Sequence, residues 1–154
     1  MKRRIAVRAV IIHEGKMLAT WLKPYRGQPN DYWCVPGGGI DEGESLHTAV
    51  EREVMEELGV KPEIGNLLFI QQFATSDTNH LEFFFHVTNT EDFLEIDLTA
   101  TENGDKEIEK LEFIQTSEST VLPDFLTSID FENFDPNGPA QVFDFMPTDQ
   151  PSQS

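Results

Sequence analysis

Three glutamates in one short stretch, Glu53, Glu56 and Glu57, have the residue type and the spacing to bind a metal ion. At positions i, i+3 and i+4 they share one arc of a helix, beside its apolar stripe rather than on the far, solvated side. Like charges at this spacing repel one another, so the arrangement favours a positive partner. Carboxylate oxygens are the ligands that Mg²⁺ prefers, with places left for water and substrate phosphate. The pattern therefore predicts a site for a hard divalent cation.

The helix that carries these glutamates is predicted over Leu46–Leu58. Ser45 is a suitable N-cap residue, and Gly59 is a typical C-terminal stop. Apolar side chains recur at helical spacing and predict the buried face, which consists of Leu46, Val50, Val54 and Leu58. The helix follows Gly37–Gly39, and glycines let backbone groups approach an ion or a phosphate closely because they have no Cβ.

The string from Gly38 to Val60 resembles the Nudix box, G-x5-E-x7-R-E-U-x-E-E-x-G-U, in which U is a bulky aliphatic residue. Every fixed position is filled as the pattern requires, by Gly38, Glu44, Arg52, Glu53, Val54, Glu56, Glu57, Gly59 and Val60. The resemblance implies an α/β (α+β) fold, the Nudix-type α/β/α sandwich around a mixed β-sheet. The strands predicted before and after the box suit this architecture.

The resemblance also implies a Mg²⁺-dependent hydrolase, with Mn²⁺ as an alternative ion. Such an enzyme cleaves a pyrophosphate bond in a nucleoside diphosphate that is linked to another moiety. Carried onto this chain, Glu53, Glu56 and Glu57 bind the metal, and Gly37 or Gly38 adds a backbone carbonyl.

Two further box residues have implied supporting roles. Arg52 pairs with a box glutamate and orients it for catalysis, and Glu44 supports the loop and the helix. The general base that takes a proton from the attacking water stays open between Glu53, Glu56 and an acid of a later loop. The candidates in that loop are Glu102, Asp105, Glu107 and Glu109.

Arg8, Lys23 and Arg26 are the candidates for contacts with substrate phosphates. Arg8 lies inside a predicted strand, where a charged side chain needs a cleft or a partner. Lys23 and Arg26 lie on a loop that leads to the box. A surface role is at least as good an interpretation for all three cations, and for Lys23 it is the better one. The aromatic residues that could stack on a base are Tyr25, Trp33, Phe73 and Phe84, most of which suit a core equally well.

Two features that mark particular branches of the family do not occur in this chain. ADP-ribose-specific relatives often carry a proline downstream of the box, but none occurs here between Pro62 and Pro123. Relatives that act on dinucleoside polyphosphates or coenzyme A often carry a downstream tyrosine, and the only tyrosines here are Tyr25 and Tyr32. A nucleoside triphosphate or modified nucleotide is therefore favoured. The alternatives are an ADP-ribose or nucleotide-sugar pyrophosphatase, and a non-catalytic Nudix-type module that binds or senses a nucleotide.

The wider sequence predicts one domain over residues 1–134 and a flexible, acidic tail over residues 135–154 that is rich in Pro, Asp, Gln and Ser. The apolar exceptions in and just before the tail, which could dock on the body or on a partner, are Phe131, Phe134, Phe143 and Phe145. Alternation and β-branched residues predict strands at Ile5–His13, Lys16–Leu22, Glu63–Ala74, Leu81–Val87 and Ile108–Gln115. A short helix is predicted at Leu122–Phe131.

The net charge of −17 limits the classes of partner. Residues 91–154 hold 2 basic and 16 acidic residues, so their net charge is −14. This balance argues against duplex nucleic acid, whose phosphates need a basic face, but it allows a small phosphorylated substrate.

No apolar run approaches the roughly 18 residues of a membrane span. Because Cys34 is the only cysteine, no internal disulfide can form and a cytoplasmic protein with a buried structural thiol is expected. The family's frequent dimers are also compatible with a homodimer.

Overall fold

The computed structural model describes residues 1–147. Within that range the strands are β1 (Lys2–Val10), β2 (Ile12–His13), β3 (Lys16–Leu22), β4 (Trp33–Cys34), β5 (Gly37–Gly39), β6 (Ile64–Ala74), β7 (Thr78–Val87), β8 (Ile108–Ile114), β9 (Val121–Leu122) and β10 (Gln141–Asp144). The α-helices are α1 (Leu46–Leu58) and α2 (Gly104–Glu107). None of the helices in residues 1–147 has both the length and the apolar character that crossing a membrane requires.

The strands form two sheets. The first sheet has the order β10-β6-β7-β1-β5 and is mixed, because β1 pairs parallel with β7 while β6 pairs antiparallel with β7. The second sheet has the order β2-β3-β4-β9, and β8 also pairs with β3. The predicted mixed α/β (α+β) fold is confirmed. The side of the first sheet opposite α1 is covered by short 3₁₀ turns and parts of the second sheet rather than by a long helix.

Helix α1 begins and ends where its local chemistry predicts. The hydroxyl of Ser45 accepts a hydrogen bond from the backbone N–H of Thr48 at 3.1 Å, which caps the first turn. Gly59 adopts a left-handed conformation with φ of 73°, and its N–H donates to the Met55 carbonyl at 2.9 Å. The buried face consists of Ala49, Val50, Val54 and Leu58. Burial of this face directs the glutamates at its margin towards the loop before the helix.

Strand alternation gives the first sheet two different faces. Val7 and Ala9 of β1 pack in the core cluster that contains the buried face of α1. Arg8, between them, points to the opposite side, where Val10 joins a second core cluster with Phe69 and Phe84. Since residues in register share a face, the side chains on this second side can be read strand by strand across the sheet.

Two predicted elements differ from the structure in more than their end residues. The strand predicted at Ile5–His13 is two strands, because the chain leaves the first sheet after Val10 and enters the second sheet at Ile12. The predicted hairpin with Lys16–Leu22 is formed by β2 alone. The helix predicted at Leu122–Phe131 is a 3₁₀ turn at Asp124–Ser128, followed by irregular chain.

The region predicted as a flexible tail contributes a strand in the described structure. Residues 141–144 pair parallel with residues 69–72 of β6. The ring of Phe143 stacks on Phe125, with centroids 4.1 Å apart. The sequence does not show this because four residues are too few to predict a strand, and their pairing partner lies some 70 positions earlier. Residues 148–154, the end of the predicted tail, lie outside the described residues.

Candidate active site

Arg52 is the centre of the hydrogen-bond network that holds the box together. Its Nε donates to Glu44 Oε2 at 2.7 Å and its Nη2 donates to Glu44 Oε1 at 2.9 Å, a bidentate pair. Nη2 also donates to the carbonyl oxygen of Gly39 at 3.1 Å. The guanidinium therefore joins the helix to the preceding loop through a carboxylate and a backbone oxygen.

The same guanidinium also orients two of the three candidate metal ligands. Nη1 donates to Glu53 Oε1 at 3.0 Å and to Glu56 Oε2 at 3.4 Å. The hydrogen bonds from Arg52, together with the backbone N–H of Asp41, lower the pKa of Glu44 to about 2. Glu44 in turn raises the pKa of Arg52. Both partners are therefore charged across the physiological pH range, and the network is permanent there.

Gly37 and Gly38 bring the loop backbone against the helix. A Cβ on Gly38 would lie 2.7 Å from Glu53 Oε1, closer than real side chains approach. Gly37 has φ of 145°, and a Cβ there would collide with the Val7 carbonyl oxygen. Both positions thus require glycine, and the Glu53 carboxylate lies directly against the loop.

The surroundings of Glu57 disfavour its ionised form. Burial, with the neighbouring Glu53 carboxylate, raises the pKa of Glu57 to about 8. The Arg8 guanidinium and a hydrogen bond from the Gly37 backbone act in the opposite direction. A carboxylate that is costly to ionise beside another carboxylate is a favourable place for a cation.

The carboxylate oxygens of Glu53, Glu56 and Glu57 are the type of ligand that a hard divalent cation prefers. Their present positions do not yet form a closed coordination site. Among residues 1–147, no three His, Cys, Asp or Glu side chains are close enough together to hold an ion as they stand. Arg52 holds Glu53 and Glu56 on its own side, and carboxylates repel one another when no cation lies between them. Binding of an ion by Glu53, Glu56 and Glu57 stays a prediction.

Arg8 lies between this acidic cluster and a cavity on the second face of the first sheet. It is paired in register with Gly37 of β5, next to the box. Its Nε lies 3.4 Å from Glu82 Oε1, and its Nη1 donates to the Val35 carbonyl at 3.1 Å. The guanidinium is thus fixed by two contacts on the cavity side of the acidic cluster.

The cavity has a volume of about 690 Å³, within the usual range for small-molecule sites. Its floor is the second face of the first sheet, and its walls are aromatic and apolar. The lining includes Arg4, Arg8, Gln71, Phe73, His80, Glu82, Asp124, Phe125, Phe143 and Phe145. The rings of Phe73 and His80 are stacked with centroids 4.5 Å apart. A planar apolar group with a few polar atoms is the kind of ligand that such a lining favours.

Comparison with known proteins settles the family. The NUDIX domain family matches residues 2–132. The chain belongs to the Nudix family. Nudix hydrolases generally use divalent metal ions. Over 61 residues this Nudix protein is 44% identical to diphosphoinositol polyphosphate phosphohydrolase 2 of Rattus norvegicus, a match that covers 40% of this chain and 33% of that protein. The chain thus spans about a third of the length of the curated relatives it matches.

Solved structures show the same fold. The ORF135 protein of E. coli is 23% identical with a TM-score of 0.62, over 86% of this chain and 88% of that one. The MutT protein of Methanosarcina mazei Go1 is 22% identical with a TM-score of 0.63, over 85% of this chain and 91% of that one. At these identities the likeness establishes the Nudix fold alone.

The structure of this Nudix protein separates the predicted substrate-binding cations. Arg8 lines the cavity, whereas Lys23 and Arg26 do not. The Lys23 ammonium donates to the backbone oxygen of Asp105, and the Arg26 guanidinium lies 5.2 Å from the centre of the exposed Tyr25 ring. Substrate binding by Lys23 and Arg26 stays a prediction, since neither side chain lines the cavity.

The other predicted aromatic and acidic candidates also differ in position. Phe73 lines the cavity, Phe84 is fully buried beneath it, and Trp33 packs edge-on against Trp21. Among the acids of the later loop, Glu107 is near enough to Glu57 to raise the pKa of that carboxyl. This loop is docked on α1, since the Asn103 N–H donates to the Glu56 carbonyl at 2.8 Å.

Sequence reasoning missed several residues of the cavity, of which Arg4, Gln71 and Glu82 are polar and Phe143 and Phe145 are apolar. One signal was available: Glu82 is a lone carboxylate between Leu81 and the three consecutive phenylalanines of β7. Cys34, expected to be a buried structural thiol, is partly buried on the cavity wall. Burial raises the pKa of its thiol, so the thiol form predominates at neutral pH.

Proposed function

We propose that this Nudix protein is a Mg²⁺-dependent pyrophosphohydrolase that acts on a small, phosphorylated nucleotide-type substrate. The observation that carries the proposal is the position of Arg8, fixed between the glutamates of α1 and an apolar cavity. A nucleotide has this same order of parts, with an anionic pyrophosphate at one end and a planar base at the other. The single cysteine keeps the cytoplasm as the expected compartment.

In this proposal Glu53, Glu56 and Glu57 supply oxygen ligands, with the backbone of Gly38 next to Glu53. Bound Mg²⁺ would offset the charge of the pyrophosphate and lower the pKa of a water molecule. Arg52 orients Glu53 and Glu56, so that either can accept a proton from the attacking water. Arg8 donates to a substrate phosphate from the cavity side. Glu107 is the acid of the later loop that is left as a third candidate base.

The cavity argues against the substrate named for the diphosphoinositol polyphosphate relatives. A ring that carries many phosphates needs several cations around it. Here the cations of the cavity are Arg4 and Arg8, with His80 as a titratable neighbour, and the carboxylates of Glu82 and Asp124 would repel phosphate. A ring that is covered with phosphates also offers little apolar surface to the aromatic side chains that line the cavity.

A phosphate-release screen tests the proposal. The substrates are nucleoside triphosphates, ADP-ribose, nucleotide sugars and a diphosphoinositol polyphosphate, each with Mg²⁺ and with EDTA. We expect Mg²⁺-dependent release from nucleotides and the highest kcat/KM for a nucleoside triphosphate. Release of phosphate from none of them would contradict the proposal and favour a module that binds a nucleotide without cleaving it. If ADP-ribose or a nucleotide sugar is the best substrate, the proposed pyrophosphate hydrolysis is supported and the preference for a nucleoside triphosphate is wrong.

A further inference from the structure

Gln71 and Glu82 form a buried polar pair on the floor of the cavity. They are in register on the adjacent antiparallel strands β6 and β7, so their side chains lie side by side on the same face. Gln71 is 5% exposed, and the Glu82 side chain is 7% exposed. All around them the cavity is mainly aromatic and aliphatic. A polar pair this deeply buried needs partners for its hydrogen-bonding groups.

The pair retains hydrogen-bonding capacity that the protein does not use. Among the side-chain hydrogen bonds of residues 1–147, none involves the Gln71 amide. Glu82 meets only Arg8, through one oxygen at 3.4 Å. A carboxylate offers about four acceptor positions, and an amide offers two N–H donors and an acceptor oxygen. The floor of the cavity thus presents acceptors at Glu82 and a donor at Gln71.

We propose that Gln71 and Glu82 recognise the edge of a guanine-type base, so that this protein prefers guanine nucleotides. Guanine presents two adjacent N–H donors, at N1 and N2, next to the O6 acceptor. Glu82 accepts from N1–H and N2–H, and the Gln71 amide donates to O6. Adenine and uracil offer a single ring-edge donor position to the carboxylate, and cytosine places acceptors beside its donor. Guanine is the base that satisfies both side chains at once.

The remaining cavity residues fit this orientation. Phe73 and Phe143 flank the polar pair, since Phe73 follows Gln71 by two residues in β6 and Phe143 is in register with Gln71. Their rings contact a flat base from the sides of the floor. Arg8, which touches Glu82, then faces the phosphates that extend towards α1. The inference rests on the proposed function for the direction of the phosphates, but base recognition itself is independent of hydrolysis.

The kinetic test compares GTP, ITP and ATP as substrates of the 154-residue chain in the presence of Mg²⁺. ITP differs from GTP by the absent 2-amino group, so it reports the contact of N2–H with Glu82. We expect kcat/KM for GTP to exceed that for ITP by about tenfold or more, with ATP lower still. Glu82→Gln should reduce the preference for GTP over ITP to within about twofold. Equal values for the three substrates in the wild-type protein, or an unchanged preference in Glu82→Gln, would overturn the proposal.

Gln71→Leu tests the second contact, and Gln72→Leu is its matched control on the opposite face of β6. Gln71→Leu should lower kcat/KM for GTP and for ITP alike, because both carry O6, while Gln72→Leu should leave both unchanged. Equal effects of the two substitutions would contradict a role for Gln71 in base recognition.

Binding of nucleoside monophosphates separates this inference from the proposed reaction. Calorimetry with guanosine and inosine 5′-monophosphates needs no turnover. If no substrate is hydrolysed but the guanosine monophosphate binds more tightly through Glu82, the reaction is wrong and base recognition holds. If nucleotides are hydrolysed but the two monophosphates bind equally, the reaction holds and base recognition is wrong.

Discussion

Arg52 and Glu44 form a two-pronged ion pair across eight positions of the chain, with Nε–Oε2 at 2.7 Å and Nη2–Oε1 at 2.9 Å. The same guanidinium reaches Glu53 and Glu56 through Nη1. One side chain therefore fixes the loop before the helix and the carboxylates on the helix. Substitution of Glu44, the partner of Arg52, should therefore lower the stability of the protein and disturb the positions of the Glu53 and Glu56 carboxylates.

Glu44→Gln should lower the melting temperature at pH 7. The pKa of Glu44 is about 2 in the folded protein, below its value in the unfolded chain. Its stabilisation is therefore complete above the unfolded pKa and is lost as the pH falls through that value towards 2. Thermal unfolding of the wild type and the variant between pH 7 and pH 2.5 measures the effect. A difference in melting temperature that persists undiminished at pH 2.5 would show that the ion pair is not its source.

Glu56→Gln and Glu57→Gln, each as a single variant, should lose Mg²⁺-dependent turnover by about 100-fold or more. Substitution of a group that only orients a metal ligand already lowers metal affinity or activity by about 10- to 100-fold, and direct ligands should matter more. Glu42→Gln is the control, because Glu42 is an exposed acid of the same box. Phosphate release and Mg²⁺ binding by calorimetry are measured together. Unchanged turnover in both variants would remove these residues from the site.

Gly38→Ala should reduce turnover by about 10- to 100-fold with a small change in melting temperature. The added methyl group would displace the Glu53 carboxylate from its position 2.7 Å away, and displacements of about 1 Å are costly in an active site. Gly39→Ala is the matched control. A Cβ on Gly39 meets its nearest atom, Arg4 Nη2, at an ordinary 3.8 Å. Equal losses in the two variants would contradict the specific contact with Glu53.

A chain that ends after Phe134 should unfold at a lower temperature than the full chain. It lacks β10 and the stacked pair of Phe143 and Phe125. We expect a free energy of unfolding about 2–4 kcal/mol smaller, which corresponds to roughly 5–15 °C in melting temperature. A chain that ends after residue 147 keeps these contacts and is the control. An unchanged melting temperature after truncation at Phe134 would support the flexible tail that the composition predicts.

The sequence predicts features whose causes are local. The bounds of α1 agree with the structure because Ser45 and Gly59 act on the turns beside them. The box pattern likewise identifies the family because its residues lie within one loop and one helix. By contrast, Gln71 and Glu82 become a pair only through the register of β6 on β7, which the sequence does not state. Phe143 joins the cavity for the same kind of reason, since its strand forms only on the edge of a sheet made elsewhere in the chain.

The position of β10 also has a consequence for self-association. Strand β6 runs for 11 residues, and β10 covers Phe69–Gln72 in the middle of its outer edge. An uncovered sheet edge of that length offers unpaired backbone groups to a strand of another molecule. Proteolysis ahead of residue 141 would remove β10, and with it both the Phe143 side of the cavity and the strand that covers β6. It would leave a longer run of unpaired backbone groups on β6, where we expect copies of the protein to join edge to edge more readily.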